Sequence, residues 1–196
     1  MSITKKIIIT DTNIITDLFN ANILEEFINL DNVYISDLVK NDEINNKTGN
    51  IEMIKKFKTL PTTNLQLLEV SKISAIEKKL STYDLINFII ARAYEGILAT
   101  GDKRLKNFSE HNGIEVYRTL KIIKLMYDKH KISKFKAIKA CQIIKANNKT
   151  RIPINDINIL LENKDNKLKF IIFGFRLYYS CFIDKVTFSL HRLKFR

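Results

Sequence analysis

Five short apolar runs, stopped by polar residues and separated by stretches of helical spacing, constrain this chain more than any other feature. Lys6-Ile7-Ile8-Ile9-Thr10-Asp11 is the first and ends in a carboxylate; Val33-Tyr34-Ile35 is the second. Leu65 to Val70 reads as a third, Ile97-Leu98-Ala99-Thr100 as a fourth and Ile114 to Tyr117 as a fifth. A short apolar run ending in a carboxylate, as the first does, is what a strand buried on both faces of a parallel sheet gives. Between them, Ile14, Ile15, Leu18 and Phe19 recur at helical spacing, as do Leu24, Phe27 and Ile28. Ser36 is placed to cap a helix containing Leu38 and Val39, and Ile51 to Phe57 reads as helix. Ser81-Thr82-Tyr83-Asp84 has capping-box spacing, with Asp in place of Glu. It opens a helix of Leu85, Phe88, Ile89, Ala91 and Ala93 that Gly96 can end. Gly101-Asp102 breaks the fourth run, Leu105 and Phe108 mark a short helix, and Asn112-Gly113 marks a turn. Helices follow over Leu120–Lys129, after a capping Ser133, and near Pro153. This alternation predicts an α/β fold, a three-layer α/β/α arrangement with a central parallel sheet of about five strands and right-handed crossovers. In such sheets the site lies beyond the carboxyl ends of the strands.

The chain has 196 residues, enough for one domain with a real core. We divide it into a domain over 1–163 and a basic, aromatic extension over 164–196. Half of the net charge of +12 falls in that extension, where eight Lys/Arg face only Asp165 and Asp184. The charge favours a polyanionic partner, although a Lys-, Asn- and Ile-rich composition is also what an AT-rich genome produces. Cys141 and Cys181 form no CxxC pair and no disulfide framework, which suits a reducing compartment. The opening residues are too short for a secretory signal, and Arg176 and Asp184 interrupt the apolar tail. A cytoplasmic protein with no membrane span is the expectation.

Three acids fall where this architecture gathers residues: Asp11 at the end of the first run, Asp84 in the first turn of a central helix, and Asp102 after the fourth run. Asp42 or Glu43, beyond the second run, is a fourth candidate. Each has a plain structural reading as well. Asp84 suits a helix N-terminus, Asp11 a turn, and Asp42 or Glu43 a solvated helix surface. Two carboxylates about 4 Å apart repel by around 4 kcal/mol at an effective dielectric near 20. Three or four brought together therefore call for protonation or a cation. Hard oxygen donors select Mg²⁺ or Mn²⁺ over zinc, and His111, His130 and His191 show no ligand spacing.

Ile7-Ile8-Ile9-Thr10-Asp11-Thr12-Asn13 resembles the opening motif of PIN domains, an apolar strand followed by D-T-N. Leu80-Ser81-x-x-Asp84 and Leu98-x-Thr100-Gly101-Asp102-Lys103-x-Leu105 resemble the later motifs of that family, in the same order and over about residues 5–160. The resemblance implies a PIN-like fold in which Asp11, Asp84 and Asp102 bind metal while Asn13 and Thr100 support them. The family usually places a Glu six residues beyond a Ser or Thr at the end of strand two. Counting from Ser36 lands on Asp42, while the adjacent Glu43-Ile44 looks more like the usual pair, so the fourth acid stays open between Asp42 and Glu43.

Many stand-alone bacterial PIN domains resemble VapC-type toxins, which cleave RNA, are silenced by an antitoxin from the same operon, and often dimerise. The expected function is thus a metal-dependent endoribonuclease using Mg²⁺ or Mn²⁺, the toxin of a type II toxin–antitoxin pair, with Asp11, Asp84, Asp102 and either Asp42 or Glu43 as catalytic acids. Lys103 and Arg104 are candidates for RNA phosphates, or else a solvated basic helix face. An RNA substrate, a cognate antitoxin and a second copy of the chain are the expected partners. Two alternatives stand beside this reading. One is a PIN-fold module that binds RNA or protein without cutting. The other is a haloacid-dehalogenase-like phosphatase, whose second acid falls at Asn13 and whose later acid falls at Lys106, leaving Asp84 unexplained.

Overall fold

The computed structural model describes residues 6–44 and 51–146, the side chains of 42–44, 51 and 52 excepted. By its internal contacts the chain divides into Met1–Ile152 and Pro153–Arg196. The second unit, with the helix expected near Pro153 and the extension expected from 164, lies outside the described residues.

The first unit is an α/β fold built on five parallel strands. In chain order these are β1 (Ile8–Thr10), β2 (Val33–Ser36), β3 (Lys58–Leu60), β4 (Ile97–Ala99) and β5 (Glu115–Tyr117). Their spatial order is β3-β2-β1-β4-β5, with Ile9 of β1 opposite Tyr34 on one side and Leu98 on the other. The chain therefore builds outward from β1 to β3, then steps back over β2 and β1 to add β4. The direction of winding reverses between β1 and β4. Helices α1 (Thr12–Asn20) and α2 (Leu24–Ile28) link β1 to β2; a π-helical segment, Val39–Ile44, and α3 (Ile51–Lys55) link β2 to β3. Helices α4 (Asn64–Ile76) and α5 (Thr82–Ala93) make the long return, α6 (Lys103–His111) joins β4 to β5, and α7 (Thr119–Asp128) and α8 (Lys134–Ala146) follow.

Right-handed crossovers put helices on opposite faces once the winding reverses. In keeping with this, α5 lies on β1, β2 and β4 and packs with α4 and α6, whereas α1 packs with α2, α7 and α8. The sheet is buried from both sides: Ile8, Ile9, Ile35, Leu98 and Ala99 are at most 1% exposed. Burial of each such large aliphatic side chain stabilises by roughly 1.5–3 kcal/mol. Phe88 of α5 meets Phe108 of α6 edge to face at 4.8 Å between ring centroids. Ser133 caps α8 as expected, its Oγ accepting from the Lys136 amide at 3.2 Å. Among the described residues no helix is long and apolar enough to cross a membrane.

Three local expectations are corrected. The third strand is Lys58–Leu60, and Leu65 to Val70 lies within α4. Thr63 and Gln66 form a capping box there: the Thr63 amide donates to Gln66 Oε1 at 2.8 Å, and Thr63 Oγ1 accepts from the Gln66 amide at 3.3 Å. That start signal outweighs the apolar run, whose Leu65 and Leu68 remain 78% and 58% exposed. An edge strand such as β3 needs no apolar run of its own. Second, α5 leaves its last turn through Glu95, at φ 48°, and not through Gly96. Gly96 serves a different need, since a Cβ there would stand 2.9 Å from Ile7 Cγ1 and 3.0 Å from the Ile7 carbonyl oxygen. Third, Ser36 is the last residue of β2, where its Oγ pairs with Thr62 Oγ1 at 3.0 Å; the carboxylate of Asp37 takes the Leu38 amide that Ser36 was expected to cap.

Candidate functional site

Where winding reverses, the exits of two neighbouring strands diverge and leave a crevice at the carboxyl edge of the sheet. Asp11 stands in that position between β1 and β4. Its amide donates to the Ala99 carbonyl at 2.9 Å, and the residue is only 3% exposed. A buried carboxylate is costly unless donors surround it. Here Asp11 Oδ2 accepts from Thr100 Oγ1 at 2.8 Å and from Asn13 Nδ2 at 3.2 Å. Thr100, fully buried just past β4, also accepts from the Asp102 amide at 3.1 Å. A single chain of hydrogen bonds thus runs from Asn13 through Asp11 and Thr100 to the backbone of Asp102. The loop after β4 meets the first turn of α1: a Cβ on Gly101 would lie 3.5 Å from Asn13 Cβ. Asp11, Asn13, Thr100 and Asp102 are therefore brought together.

Asp102 is the N-cap of α6, its Oδ1 accepting from the amides of Arg104 and Leu105 at 2.7 and 2.8 Å. Asp84 reaches the same edge on another element. The chain re-enters the sheet after α5 at the amino edge, where the Ile97 amide donates to the Ile7 carbonyl at 2.8 Å. A helix of 12 residues running back from there spans roughly 18 Å, which puts its first turn at the carboxyl edge. There the capping box read from sequence is present in both halves: Ser81 N to Asp84 Oδ2 at 2.9 Å and Asp84 N to Ser81 Oγ at 3.1 Å. Asp42 and Glu43 fall in the π-helical segment, which packs on β2 and α1; their side chains lie outside the described residues. Lys103 and Arg104 are exposed in the first turn of α6.

Three residues near this edge escaped the sequence reading. Arg118, just past β5, is exposed and donates from its guanidinium to the Gly101 carbonyl at 3.4 Å. Asp37 follows β2 as Asp11 follows β1, a signal that position alone could have given. Its Oδ1 accepts from the Thr62 amide at 3.1 Å and from Thr62 Oγ1 at 2.7 Å, so it ties the exit of β2 to the segment after β3. Asn87, one turn along α5 from Asp84, is fully buried, and among the described residues neither carboxamide atom has a hydrogen-bond partner.

Among the described residues, no three His, Cys, Asp or Glu side chains come together in a group that could hold a metal ion. Asp84 and Asp102 each spend one carboxylate oxygen on a helix start instead. The chemistry of the edge still suits a hard divalent cation: carboxylate, hydroxyl and carboxamide oxygens, with no thiolate or imidazole among the residues described above. The orphaned carboxamide of Asn87 fits it too, because a buried polar group without a protein partner calls for water or an ion. Compared with the models of known protein families and with curated proteins, the sequence matches none.

Proposed function

We propose that this chain is a PIN-like, metal-dependent endoribonuclease, of the kind that serves as the toxin of a type II toxin–antitoxin pair in the cytoplasm. One observation carries the reading: a buried aspartate at the reversal point of the sheet, Asp11, is held by Thr100 and Asn13 in the hydrogen-bonded chain that fixes Asp102. Asp11, Asp84 and Asp102 would hold Mg²⁺ or Mn²⁺, with Asp42 or Glu43 as a fourth acid. The ion supplies a more acidic bound water and charge stabilisation for phosphodiester hydrolysis. Thr100 and Asn13 fix the direction of the Asp11 carboxylate. Lys103 and Arg104, with Arg118 beside Gly101, place positive charge where a phosphate backbone would pass. An RNA strand is the substrate, a cognate antitoxin is the natural inhibitor, and a second copy of the chain completes a homodimer.

A second reading is a PIN-fold module that binds RNA without cutting it. It is favoured by the caps: Asp84 and Asp102 each have a structural task that needs no metal. Asp84→Asn separates the two. A nuclease loses cleavage by on the order of 100-fold, whereas a binding module keeps its RNA affinity or gains some from the removed charge; cutting at the wild-type rate with Mg²⁺ present would sink the nuclease.

A further inference from the structure

Every neighbour of Asn87 on α5 from Leu85 to Ala91 is apolar and buried; Asn87 alone in that stretch carries a polar side chain. Its exposure is 0%, and both ends of the carboxamide are unpartnered among the described residues, so the choice of amide orientation changes nothing. A leucine of the same size would fit an apolar helix without that penalty. Two facts of helix geometry say where the group looks. Residues three apart share a face, so Asn87 stands above Asp84 with Cβ atoms about 5–6 Å apart. Helical side chains also lean toward the N-terminus of their own helix, which here carries the carboxamide toward the turn of Asp84. The helix lies on β1 and β4, the strands whose exits bear Asp11 and Asp102.

We propose that Asn87 is a further positioning residue of the metal site, its carboxamide holding a water of the hydrated cation behind the carboxylate of Asp84. This rests on the reading of the carboxyl edge as a metal site. A small hard dication keeps several of its waters, so partners that never touch the ion still orient its shell. The carboxamide is suited to this: its oxygen can accept from such a water and its nitrogen can donate to a carboxylate. Partners of this kind change metal affinity by about 10- to 100-fold when removed.

The test is titration of the full chain with Mn²⁺, reading free Mn²⁺ by electron paramagnetic resonance, beside metal-free thermal unfolding. Asn87→Leu is expected to weaken Mn²⁺ binding about 10-fold or more while the metal-free Tm holds or rises. Asn87→Asp, which keeps an oxygen acceptor, is expected to bind Mn²⁺ at least as tightly as the wild type. Wild-type affinity in folded Asn87→Leu, or in Asn87→Ala should the leucine variant not fold, overturns the assignment and leaves Asn87 a packing residue. A wild-type chain that binds no Mn²⁺ overturns the metal site itself, and Asn87's part in it falls before any variant is made.

Discussion

Thr100 illustrates how much one buried side chain can organise. Its hydroxyl donates to Asp11 and accepts from the Asp102 amide, so it couples two of the three candidate acids through a single oxygen. Thr100→Val keeps the shape and removes the hydroxyl. It is expected to destabilise the fold by about 1–3 kcal/mol in urea unfolding, because a buried carboxylate loses a donor, whereas Thr100→Ser should recover most of that. Asp11 and Asp102 were legible in sequence because each sits beside a break in an apolar run, and Asp84 because it completes a capping box. Asn87 and Arg118 were not, since their significance depends on what the folded chain sets beside them. Cys141 makes a prediction of its own. Burial pushes its thiol up from an ordinary value of 9.0 to about 11. In the unfolded chain the thiol ionises above pH 9, while in the folded chain it stays neutral until about 11. Its contribution to stability is thus fully present below pH 9 and lost as pH rises through that window. In a Cys181→Ser background, Cys141 should resist a thiol-specific reagent at pH 8 until the chain is unfolded, as reaction needs the thiolate. Rapid labelling of the folded protein would contradict it.

The elements themselves were legible in proportion to how far local signals agreed with tertiary demands. For α5 the capping box, the apolar filling and the packing against the sheet point the same way, and the expected helix is there. For α4 they conflict. An apolar run argued for a strand, but the Thr63–Gln66 box started a helix whose leucines face outward, and the neighbouring edge strand formed from residues with little apolar character. Gly96 shows a third case, in which the residue was singled out for a helix end but its absent side chain matters for the approach of Ile7. Gly96→Ala should therefore cost about 1–3 kcal/mol in denaturant unfolding. An unchanged or raised midpoint would show that β1 can move aside.

At the scale of the whole molecule, one topological fact organises the rest. The strand order β3-β2-β1-β4-β5 makes β1 and β4 neighbours although the paired Thr10 and Ala99 stand 89 positions apart in the chain, with β2 and β3 formed between them. Parallel strands and helices on both faces were readable from alternation alone, whereas the reversal between β1 and β4 emerges only from the strand order of the folded chain. What alternation could not supply is how closely the acids approach one another, because that depends on side-chain choices each acid makes between capping its own helix and facing its neighbours. The competition has a physical scale: bringing two carboxylates to about 4 Å costs around 4 kcal/mol without a cation, more than a helix cap is worth, at about 1 kcal/mol.

The most direct measurement is cleavage of a mixed RNA pool by the purified full chain with Mg²⁺ or Mn²⁺, repeated in EDTA and with Asp11→Asn. Cutting that requires the metal and falls by on the order of 100-fold or more in the variant is the predicted result. Cutting that survives EDTA or the loss of the Asp11 charge, or no cutting by a folded chain that still binds the RNA, would contradict a metal-dependent nuclease built on Asp11.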